Sequence, residues 1–382
     1  MKKVMFMTNS LDGGGAEKIL QTILMNLDHN KYDMTLYSMH REDIKSMEYP
    51  ANVCYKVIFD EYTGKQMLIR ILDKLYLKIK GKIFQKCSAK LFYKLFIHEK
   101  YDVEIAFIEG ESTKIISGSS NKKSKKYAWV HIDLEKNPWT QFLYKNALDE
   151  EKHYRKFDKI MCVSESVRDS FLDKYNGIDT SKVLVQYNPI DREKIITMSK
   201  SESIIKKQDK FRMVAVGRLV EQKGFDRLME VCANLRDDGF EFEVIILGEG
   251  KERTKLEMLT NSLQLLSIVK LPGYLSNPYS VMRTADLIVC SSRSEGFSTV
   301  LTEAMVLGVP IVSTECAGVK ELFGDMKCGM IVENSTLALY QSLKQVLINQ
   351  EKLVFYKANS IKRGSNFNLI KVMNEIQEIL DS

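Results

Sequence analysis

Residues 287–313 read LIVCSSRSEGFSTVLTEAMVLGVPIVS and contain one complete strand–loop–helix–strand unit. The apolar run Leu287–Cys290 is typical of a buried strand, and a polar loop leads from it into a helical pattern from about Ser298 to Leu307. A second apolar run, Pro310–Ser313, follows directly. Strands that alternate with helices in this way predict a parallel sheet covered by helices.

The same alternation extends along the chain in both directions. The further predicted strands are Val4–Met7, Asp33–Tyr37, Val103–Phe107, Tyr127–His131, Lys159–Val163, Val183–Tyr187, Arg212–Val216, Phe242–Leu247 and Ile268–Leu271. A polar stretch from Ile190 to about Lys210 separates two such series and is predicted to be an inter-domain connection. We therefore expect an α/β protein of two Rossmann-like, doubly wound domains that face each other across a cleft, over residues 1–189 and 190–364. A C-terminal helix over about residues 365–382 is expected to pack back on the first domain.

The composition is that of a globular protein with two domains. The chain has 382 residues, of which 45% are hydrophobic and 28% are charged, which is too apolar for a disordered chain. No apolar run approaches the roughly 18 residues of a membrane span, and the N-terminal run is too short for a signal peptide. Seven scattered cysteines without a C-x-x-C pair predict buried, reduced thiols. We therefore expect a cytoplasmic protein, which could still lie on the inner face of the membrane.

Glycines and basic residues follow three predicted strands of the second half, at the sheet edge where open α/β sheets bind ligands. These loops are Gly217-Arg218-Leu219 with Lys223-Gly224, Gly248-Glu249-Gly250, and Ser291–Thr299. Glycines let a ligand approach the backbone closely, and a helix N-terminus offers N–H groups to an anion. Taken singly, each feature favours an ordinary turn or a solvated surface charge. Together they predict a site for a diphosphate.

Two glutamates lie close to the start of the helix predicted from about Ser298. Glu295 lies in the preceding loop, and Glu303 lies within a helix that is apolar nearly all round and is therefore expected to be buried. A buried carboxylate needs a partner, because burying a bare charge is expensive. A salt bridge to a nearby basic residue would supply one. We favour hydrogen bonds from ligand hydroxyls, since carboxylates commonly hold the ribose in nucleotide sites.

Residues 295–310, in which Glu295 and Glu303 are separated by seven residues, resemble the E-x7-E signature of family 4 glycosyltransferases, which have the GT-B fold. Gly217-Arg218-Leu219 with Lys223-Gly224 is similar to the phosphate-binding motif of that family, and Gly13–Glu17 is similar to its N-terminal glycine loop. The resemblance covers the whole second half. In the first half it is limited to the glycine loop, the alternation of strands and His131.

The resemblance implies a retaining transfer of a sugar from a UDP-sugar to a glycan or lipid-linked glycan acceptor, as in the synthesis of a surface polysaccharide such as a capsule. It implies that Arg218 and Lys223 act on the diphosphate and that Glu295 contacts hydroxyls of the donor sugar. It implies further donor contacts from Glu303, on the ribose, and from Gly14, Gly15, Gly217, Gly248, Gly273, Tyr274, Gly296, Phe297, Ser298, Thr299 and Val300. The second domain would bind the nucleotide sugar and the first domain the acceptor.

Charge in such a reaction develops mainly on the departing diphosphate, which cations and helix dipoles stabilise. Neither a metal ion nor a cofactor besides the donor is therefore expected. Two other functions fit the same fold. One is a UDP-sugar 2-epimerase, which needs no acceptor, and the other is a non-catalytic protein that binds a nucleotide sugar or a lipid.

Features of the first half have both structural and functional interpretations. His131 ends a predicted strand, where it is either structural or, as the resemblance implies, catalytic against the donor sugar. Asp133 is a candidate acceptor contact. Gly13–Gly15 lacks the spacing of a dinucleotide fingerprint, but its N–H groups would face the diphosphate or the acceptor. Glu109-Gly110-Glu111 could imitate a metal motif, but we expect it to be a solvent-facing turn.

Positive charge concentrates between Lys65 and Lys100, where ten basic residues stand against two acidic ones. The net charge of this stretch is +8, against +6 for the whole chain. Leucines, isoleucines and phenylalanines recur there at three- and four-residue spacing, as on amphipathic helices. The stretch is either an ordinary solvated surface or a surface that docks on anionic lipid. A nucleic-acid partner is not expected, because no recognised nucleic-acid-binding module accompanies the charge.

Overall fold

The computed structural model describes residues 1–11, 14–40, 49–59 and 84–382. The chain divides into two compact units, one of Met1–Asn188 with Lys371–Ser382 and the other of Pro189–Ile370. Each unit is built around one sheet of parallel strands with helices between them, which confirms the predicted α/β class.

The first unit contains a sheet whose described strands are β1 (Lys2–Thr8), β2 (Tyr32–His40), β3 (Cys54–Phe59), β4 (Val103–Ala106), β5 (Lys125–Val130), β6 (Lys159–Cys162) and β7 (Val183–Val185). Its described helices are α1 (Gly15–Asn26), α2 (Ala89–Phe96), α3 (Glu111–Ile116), α4 (Ala147–Tyr154) and α5 (Glu165–Lys174). The strands lie in the order β3-β2-β1-β4-β5-β6-β7. The strand order reverses between β1 and β4, and such a switch point is where open α/β sheets bind ligands.

The second unit has the same plan. Its strands are β8 (Phe211–Val216), β9 (Phe242–Leu247), β10 (Val269–Gly273), β11 (Leu287–Cys290), β12 (Ile311–Thr314) and β13 (Gly329–Val332), in the order β10-β9-β8-β11-β12-β13. Its helices are α6 (Arg192–Ser199), α7 (Phe225–Asp237), α8 (Arg253–Ser262), α9 (Tyr279–Met282), α10 (Thr299–Val306), α11 (Val319–Phe323), α12 (Thr336–Ile348) and α13 (Glu351–Ser365). The switch point falls between β8 and β11.

The central strands are apolar on both faces because helices cover both faces of each sheet. All the residues of Val4–Met7 in β1 and of Val244–Ile246 in β9 are fully buried. The edge strands β3 and β13 are only partly buried, so their hydrophobic pattern is weak, and the sequence analysis missed both.

The predicted connection from Ile190 to Lys210 contains a helix, α6, that the sequence analysis did not identify. The side chain of Asp191 accepts a hydrogen bond from the N–H of Lys194 and caps this helix. Ile195 is its only large apolar residue that is buried, so the hydrophobic stripe is too narrow to stand out from the polar composition. α6 packs against α9 and α10 in the second unit.

The last helix, α14 (Leu369–Asp381), contributes its residues from Lys371 onward to the first unit. The carbonyl of Leu380 accepts from Lys2 Nζ at 2.5 Å, and that of Ile379 accepts from the Tyr127 hydroxyl at 3.0 Å. These contacts tie the chain end to β1 and β5.

All seven cysteines are free thiols; Cys162, Cys232, Cys290 and Cys328 are buried as expected, whereas Cys54 is exposed.

Candidate active site

The loops after β8, β9 and β11 approach one another so closely that glycine is required. A Cβ on Gly224, where φ is +63°, would lie 2.2 Å from the carbonyl oxygen of Ser291. A Cβ on Gly248 would lie 1.9 Å from the carbonyl oxygen of Gly217. Both distances are far shorter than any van der Waals contact, so these glycines allow the three loops to converge at the switch point of the second sheet.

Arg227, near the start of α7, holds the loop that follows β11. Its guanidinium donates to the carbonyl of Ser291 at 2.6 and 2.8 Å, to that of Ser292 at 2.7 Å, and to Asn334 Oδ1 at 2.7 Å. The sequence analysis missed Arg227. The available signal was its position four residues before Val231, on the buried face of α7.

Lys223 and Glu295, predicted separately, form an ion pair in this convergent region. Lys223 Nζ donates to Glu295 Oε1 at 2.6 Å, and the Ser292 hydroxyl donates to the same oxygen at 2.5 Å. Glu295 is only 7% exposed. Burial lowers the pKa of Lys223, but the charge and hydrogen bond of Glu295, with a contribution from Cys290, raise it by more, so the net pKa lies above its ordinary value. Lys223 therefore carries its positive charge at neutral pH.

Positive potential around this pair has two further sources. Arg218 is exposed, and its side chain forms no hydrogen bond or ion pair with the rest of the described chain. The N-terminus of α10 follows Glu295, and Ser298 at its N-cap position makes no side-chain capping bond. The first N–H groups of that helix, at Thr299 and Val300, carry the positive end of the helix dipole.

Glu303 lies inside α10 and is 4% exposed, as the apolar helix predicted. The Tyr279 hydroxyl donates to Glu303 Oε1 at 3.0 Å. Burial and the Glu303 charge raise the pKa of Tyr279, so the phenol stays protonated and can donate. Tyr279, which the sequence analysis missed, therefore orients the Glu303 carboxylate.

The remaining donor candidates of the second unit lie at the same edge of its sheet. Gly273 is the last residue of β10. Its carbonyl accepts from the N–H of Gly248, and the following Tyr274 is exposed. Gly296 is buried and Phe297 is partly exposed. A Cβ on Gly318 would lie 2.1 Å from the carbonyl oxygen of Gly296, which fixes the loop before α10 against the loop after β12.

In the first unit, His131 directly follows β5 and is partly exposed. Its Nε2 lies 2.8 Å from the carbonyl oxygen of Phe107. A carbonyl only accepts, so Nε2 carries the hydrogen and Nδ1 is left as an acceptor. Burial lowers the pKa of His131 to about 4, although the bond to Phe107 opposes this, so the imidazole is neutral at physiological pH.

The prediction that Glu109-Gly110-Glu111 is a solvent-facing turn is wrong. Glu109 is 2% exposed and Glu111 is also buried. Glu109 Oε1 accepts from the backbone N–H of His131 and, at 3.1 Å, from that of Ile132. The segment is polar because it satisfies buried backbone donors and not because it faces water. No group of three or more potential metal ligands occurs in the described part of the chain.

Asp133 and the glycine loop occupy well-defined local structures. Asp133 is buried, and its Oδ1 accepts from the N–H of Glu135 and Lys136 and from the Ser170 hydroxyl. These bonds build a turn, and the proposed acceptor contact stays a prediction. Gly14 and Gly15 begin α1, and a Cβ on Gly14 would lie 2.4 Å from Glu17 Oε2. Gly13 lies outside the described residues.

Most of the basic stretch, residues 65–83, also lies outside the described residues. In the described remainder, α2 buries Phe92 and Tyr93. Its other face exposes Leu91 and Leu95, at 46% and 55%, beside exposed lysines at 86, 90 and 94. Across the described ranges, no helix is both long and apolar enough to cross a bilayer.

Comparison with known proteins agrees with this geometry. Residues 198–363 match the family model described as "Glycosyl transferases group 1". Over 385 residues and the full length of both chains, the protein is 27% identical to the N-acetylgalactosamine-N,N'-diacetylbacillosaminyl-diphospho-undecaprenol 4-alpha-N-acetylgalactosaminyltransferase of Campylobacter jejuni. It is 23% identical to the poly(ribitol-phosphate) alpha-N-acetylglucosaminyltransferase of Staphylococcus aureus, over 84% of this chain and 65% of that one.

A solved structure supports the fold over the whole chain. Alr3699/HepE of Anabaena, in complex with UDP and glucose, superimposes with a TM-score of 0.78 and 19% identity, and the match covers 100% of each chain. The fold is thus the two-domain α/β fold of GT-B glycosyltransferases, and the matched family model and relatives support a glycosyltransferase activity.

Proposed function

We propose that this protein is a retaining glycosyltransferase that transfers a sugar from a UDP-sugar to a glycan or lipid-linked glycan during surface polysaccharide synthesis, such as that of a capsule. The observation that carries the proposal is the Lys223–Glu295 pair, 2.6 Å apart at the switch point of the second sheet and next to the N-terminus of α10. A cation and helix N–H groups suit a diphosphate, and a carboxylate suits sugar hydroxyls.

Donor binding rearranges the pair. The phosphate oxygens compete for the Lys223 ammonium, while the exposed Arg218 adds a second cation. Glu295 then accepts hydrogen bonds from hydroxyls of the donor sugar. In the E-x7-E interpretation, Glu303 holds the ribose in the orientation set by Tyr279. Gly217 and Gly248 allow the nucleotide to approach the backbone, and Gly273 and Tyr274 border the base.

Transfer then exchanges one bond at the anomeric carbon. The bond from that carbon to the diphosphate oxygen breaks, and the acceptor oxygen bonds to the same carbon on the same face. The proton of the acceptor hydroxyl passes to the departing diphosphate. The negative charge that develops there is stabilised by Lys223, Arg218 and the N–H groups of Thr299 and Val300, so the reaction needs neither a metal ion nor a further cofactor.

The first unit supplies His131, which acts on the donor sugar, and binds the acceptor. His131 contributes a neutral imidazole whose Nδ1 accepts a hydrogen bond from a sugar hydroxyl. The name of the Campylobacter relative specifies a diphospho-undecaprenol acceptor, and this supports a lipid-linked acceptor here. Both relatives' names specify an alpha product, which a retaining enzyme makes from an alpha-linked donor.

A lipid-linked acceptor lies at a bilayer, and the basic stretch suits such a surface. We extend the proposal to peripheral binding of residues 65–100 on the cytoplasmic face of an anionic membrane. The described part of this stretch supports it, because α2 exposes Leu91 and Leu95 on the same side as Lys90 and Lys94. Apolar side chains entering the headgroup region between lysines are typical of interfacial helices.

The test is a transfer assay with the purified full chain. It uses a panel of radiolabelled UDP-sugars and membrane lipid extracts as acceptors, and NMR determines the anomeric configuration of the product. The expected result is transfer of one sugar with retention, abolished in Glu295→Ala. A sugar altered without any acceptor would indicate the epimerase instead. Donor binding without turnover on any acceptor would indicate a binding protein, and either result would overturn the proposal.

A further inference from the structure

The imidazole of His131 contacts Phe107, which follows β4, and Trp129 of β5. The carbonyl of Phe107 accepts from the ring, and the aromatic ring of Phe107 packs against the imidazole with centroids 4.9 Å apart. On β5, Trp129 stacks against the imidazole at 6.2 Å with an interplanar angle of 14°. The position and the tautomer of the His131 imidazole are therefore set by neighbouring residues of the same unit.

The backbone of His131 is held by the segment that follows β4. Beyond Val130, where β5 ends, the N–H groups of His131 and Ile132 donate to Glu109 Oε1 and not to a neighbouring strand. The carbonyl of Glu109 accepts in turn from Asn9 Nδ2 at 2.8 Å, just after β1. Glu109 thus joins the carboxyl ends of β1, β4 and β5 at the switch point of the first sheet.

We propose that Glu109 is a positioning residue for catalysis: its carboxylate fixes the end of β5 so that His131 keeps its Nε2–H on Phe107 and presents Nδ1 to a sugar hydroxyl. This inference rests on the proposed function, because it assigns His131 a hydroxyl to accept from. It adds a residue to that site which touches neither donor nor acceptor and acts only through His131.

Glu109 also makes this arrangement sensitive to pH. Burial raises its pKa to about 7, although hydrogen bonds from the backbone of residues 109, 131 and 132 oppose the shift. The charged or titratable groups around it are Glu150 and Tyr154 of α4, Cys162 of β6, Tyr175 after α5, and His131 itself. An ionised carboxylate accepts N–H bonds more strongly than a neutral acid. The hydrogen bonds from the N–H groups of His131 and Ile132 to Glu109 therefore strengthen as the pH rises through about 7.

A kinetic cycle of four proteins tests the proposal: the wild type, Glu109→Ala, His131→Ala and the double variant, each assayed with the UDP-sugar that the wild type uses. Glu109→Ala should lower kcat at least tenfold with little change in the KM for the donor, yet have almost no effect in the His131→Ala background. An equal loss in both backgrounds would overturn the proposal, because Glu109 would then act independently of His131.

A conservative variant separates positioning from general loss of structure. Glu109→Gln keeps an acceptor for both N–H groups, so it should recover most of the kcat that Glu109→Ala loses, and its pH profile should be flat where that of the wild type rises near pH 7. The matched control is Glu104→Ala, which removes another buried carboxylate; Glu104 lies on β4 and accepts a hydrogen bond from the Tyr93 hydroxyl of α2. A Gln variant as impaired as the Ala variant, with the wild-type pH profile, would contradict the inference.

NMR of the histidine ring nitrogens provides a readout that needs no substrate. The chain has five histidines, and His131→Ala identifies the signals of His131. The Nε2–H tautomer should dominate in the wild type, Glu109→Gln and Glu104→Ala, and give way to a tautomer mixture in Glu109→Ala. If this change occurs but no UDP-sugar is turned over, the proposed function fails while the positioning stands. An unchanged tautomer in Glu109→Ala would refute the positioning, whatever the activity.

Discussion

Lys223 and Glu295 lie 72 residues apart in the chain, yet their side chains meet at 2.6 Å where the loops after β8 and β11 converge. The hydroxyl of Ser292 donates to the same carboxylate oxygen. Both charged groups are largely buried, so each is stabilised mainly by the other. The structure therefore holds a neutralised pair in the position that we propose for a diphosphate and its sugar.

Removing one member of this pair should destabilise the protein. We expect Lys223→Met to lower the free energy of unfolding by about 3 kcal/mol, because Glu295 is left without its cation in a buried position. The double variant Lys223→Met/Glu295→Gln should recover most of this loss. Urea denaturation measures both, with Lys251→Met, at an exposed lysine of the same unit, as the control. A double variant no more stable than Lys223→Met would contradict the expectation.

The two glutamates of the E-x7-E spacing should affect different constants. Glu303→Ala should weaken UDP binding about tenfold, the worth of a hydrogen bond to a charged group, whereas Glu295→Ala should mainly lower turnover. Calorimetry with UDP and 2′-deoxy-UDP sharpens the test, because only a protein with Glu303 should discriminate between them. Glu257→Ala, at an exposed carboxylate of α8 paired with Arg253, is the control. An equal preference for UDP over 2′-deoxy-UDP in the wild type and in Glu303→Ala would contradict a contact between Glu303 and the ribose.

Chelation should leave the transfer reaction unchanged. Lys223, Arg218 and the N-terminus of α10 supply the positive charge that a divalent cation provides in other sites. The measurement compares initial rates with and without excess EDTA at constant ionic strength. A loss of activity that Mg²⁺ or Mn²⁺ restores would show that the reaction requires a metal.

Glu109 should make stability fall as the pH rises. Burial raises the pKa of Glu109 from 4.5 to about 7. Its contribution to the free energy of unfolding is therefore fully present below pH 4.5, where the carboxyl is neutral, and is lost as the pH rises through about 7. Glu109→Gln is neutral throughout and should therefore be more stable than the wild type at pH 8, by up to about 3 kcal/mol, with the difference falling below about 1 kcal/mol at pH 4.5. Urea denaturation at both pH values measures it. A variant less stable than the wild type at pH 8 would exclude this titration.

Membrane binding should depend on the position of the lysines and not only on their number. Lys86, Lys90 and Lys94 changed to Glu should release the protein from anionic vesicles at low salt, since each basic residue near the surface contributes about 1 kcal/mol. The same change at Lys122, Lys123 and Lys125, exposed lysines elsewhere in the first unit, gives the same net charge and should release it much less. Equal sedimentation of both variants with vesicles would contradict membrane binding and show that this stretch is an ordinary solvated surface.

The strands and helices around the candidate site could be predicted because their signals are local. The predicted bounds of Phe242–Leu247 and Leu287–Cys290 are those of β9 and β11. Each is a short continuous run of mostly apolar residues that is buried along its whole length, so neighbouring side chains suffice to reveal it. The helix α6 and the edge strands β3 and β13 escaped because few of their side chains are buried.

The sequence also placed the candidate residues at the correct ends of their strands, because the loops after parallel strands must share one sheet edge. Only the tertiary structure decided which of them meet. The pairing of Lys223 with Glu295, the donation from Tyr279 to Glu303 and the burial of Glu109 under His131 join residues from separate loops and helices. Such contacts depend on how whole elements pack, and a charged side chain in a polar loop looks the same in sequence whether it faces water or a buried partner.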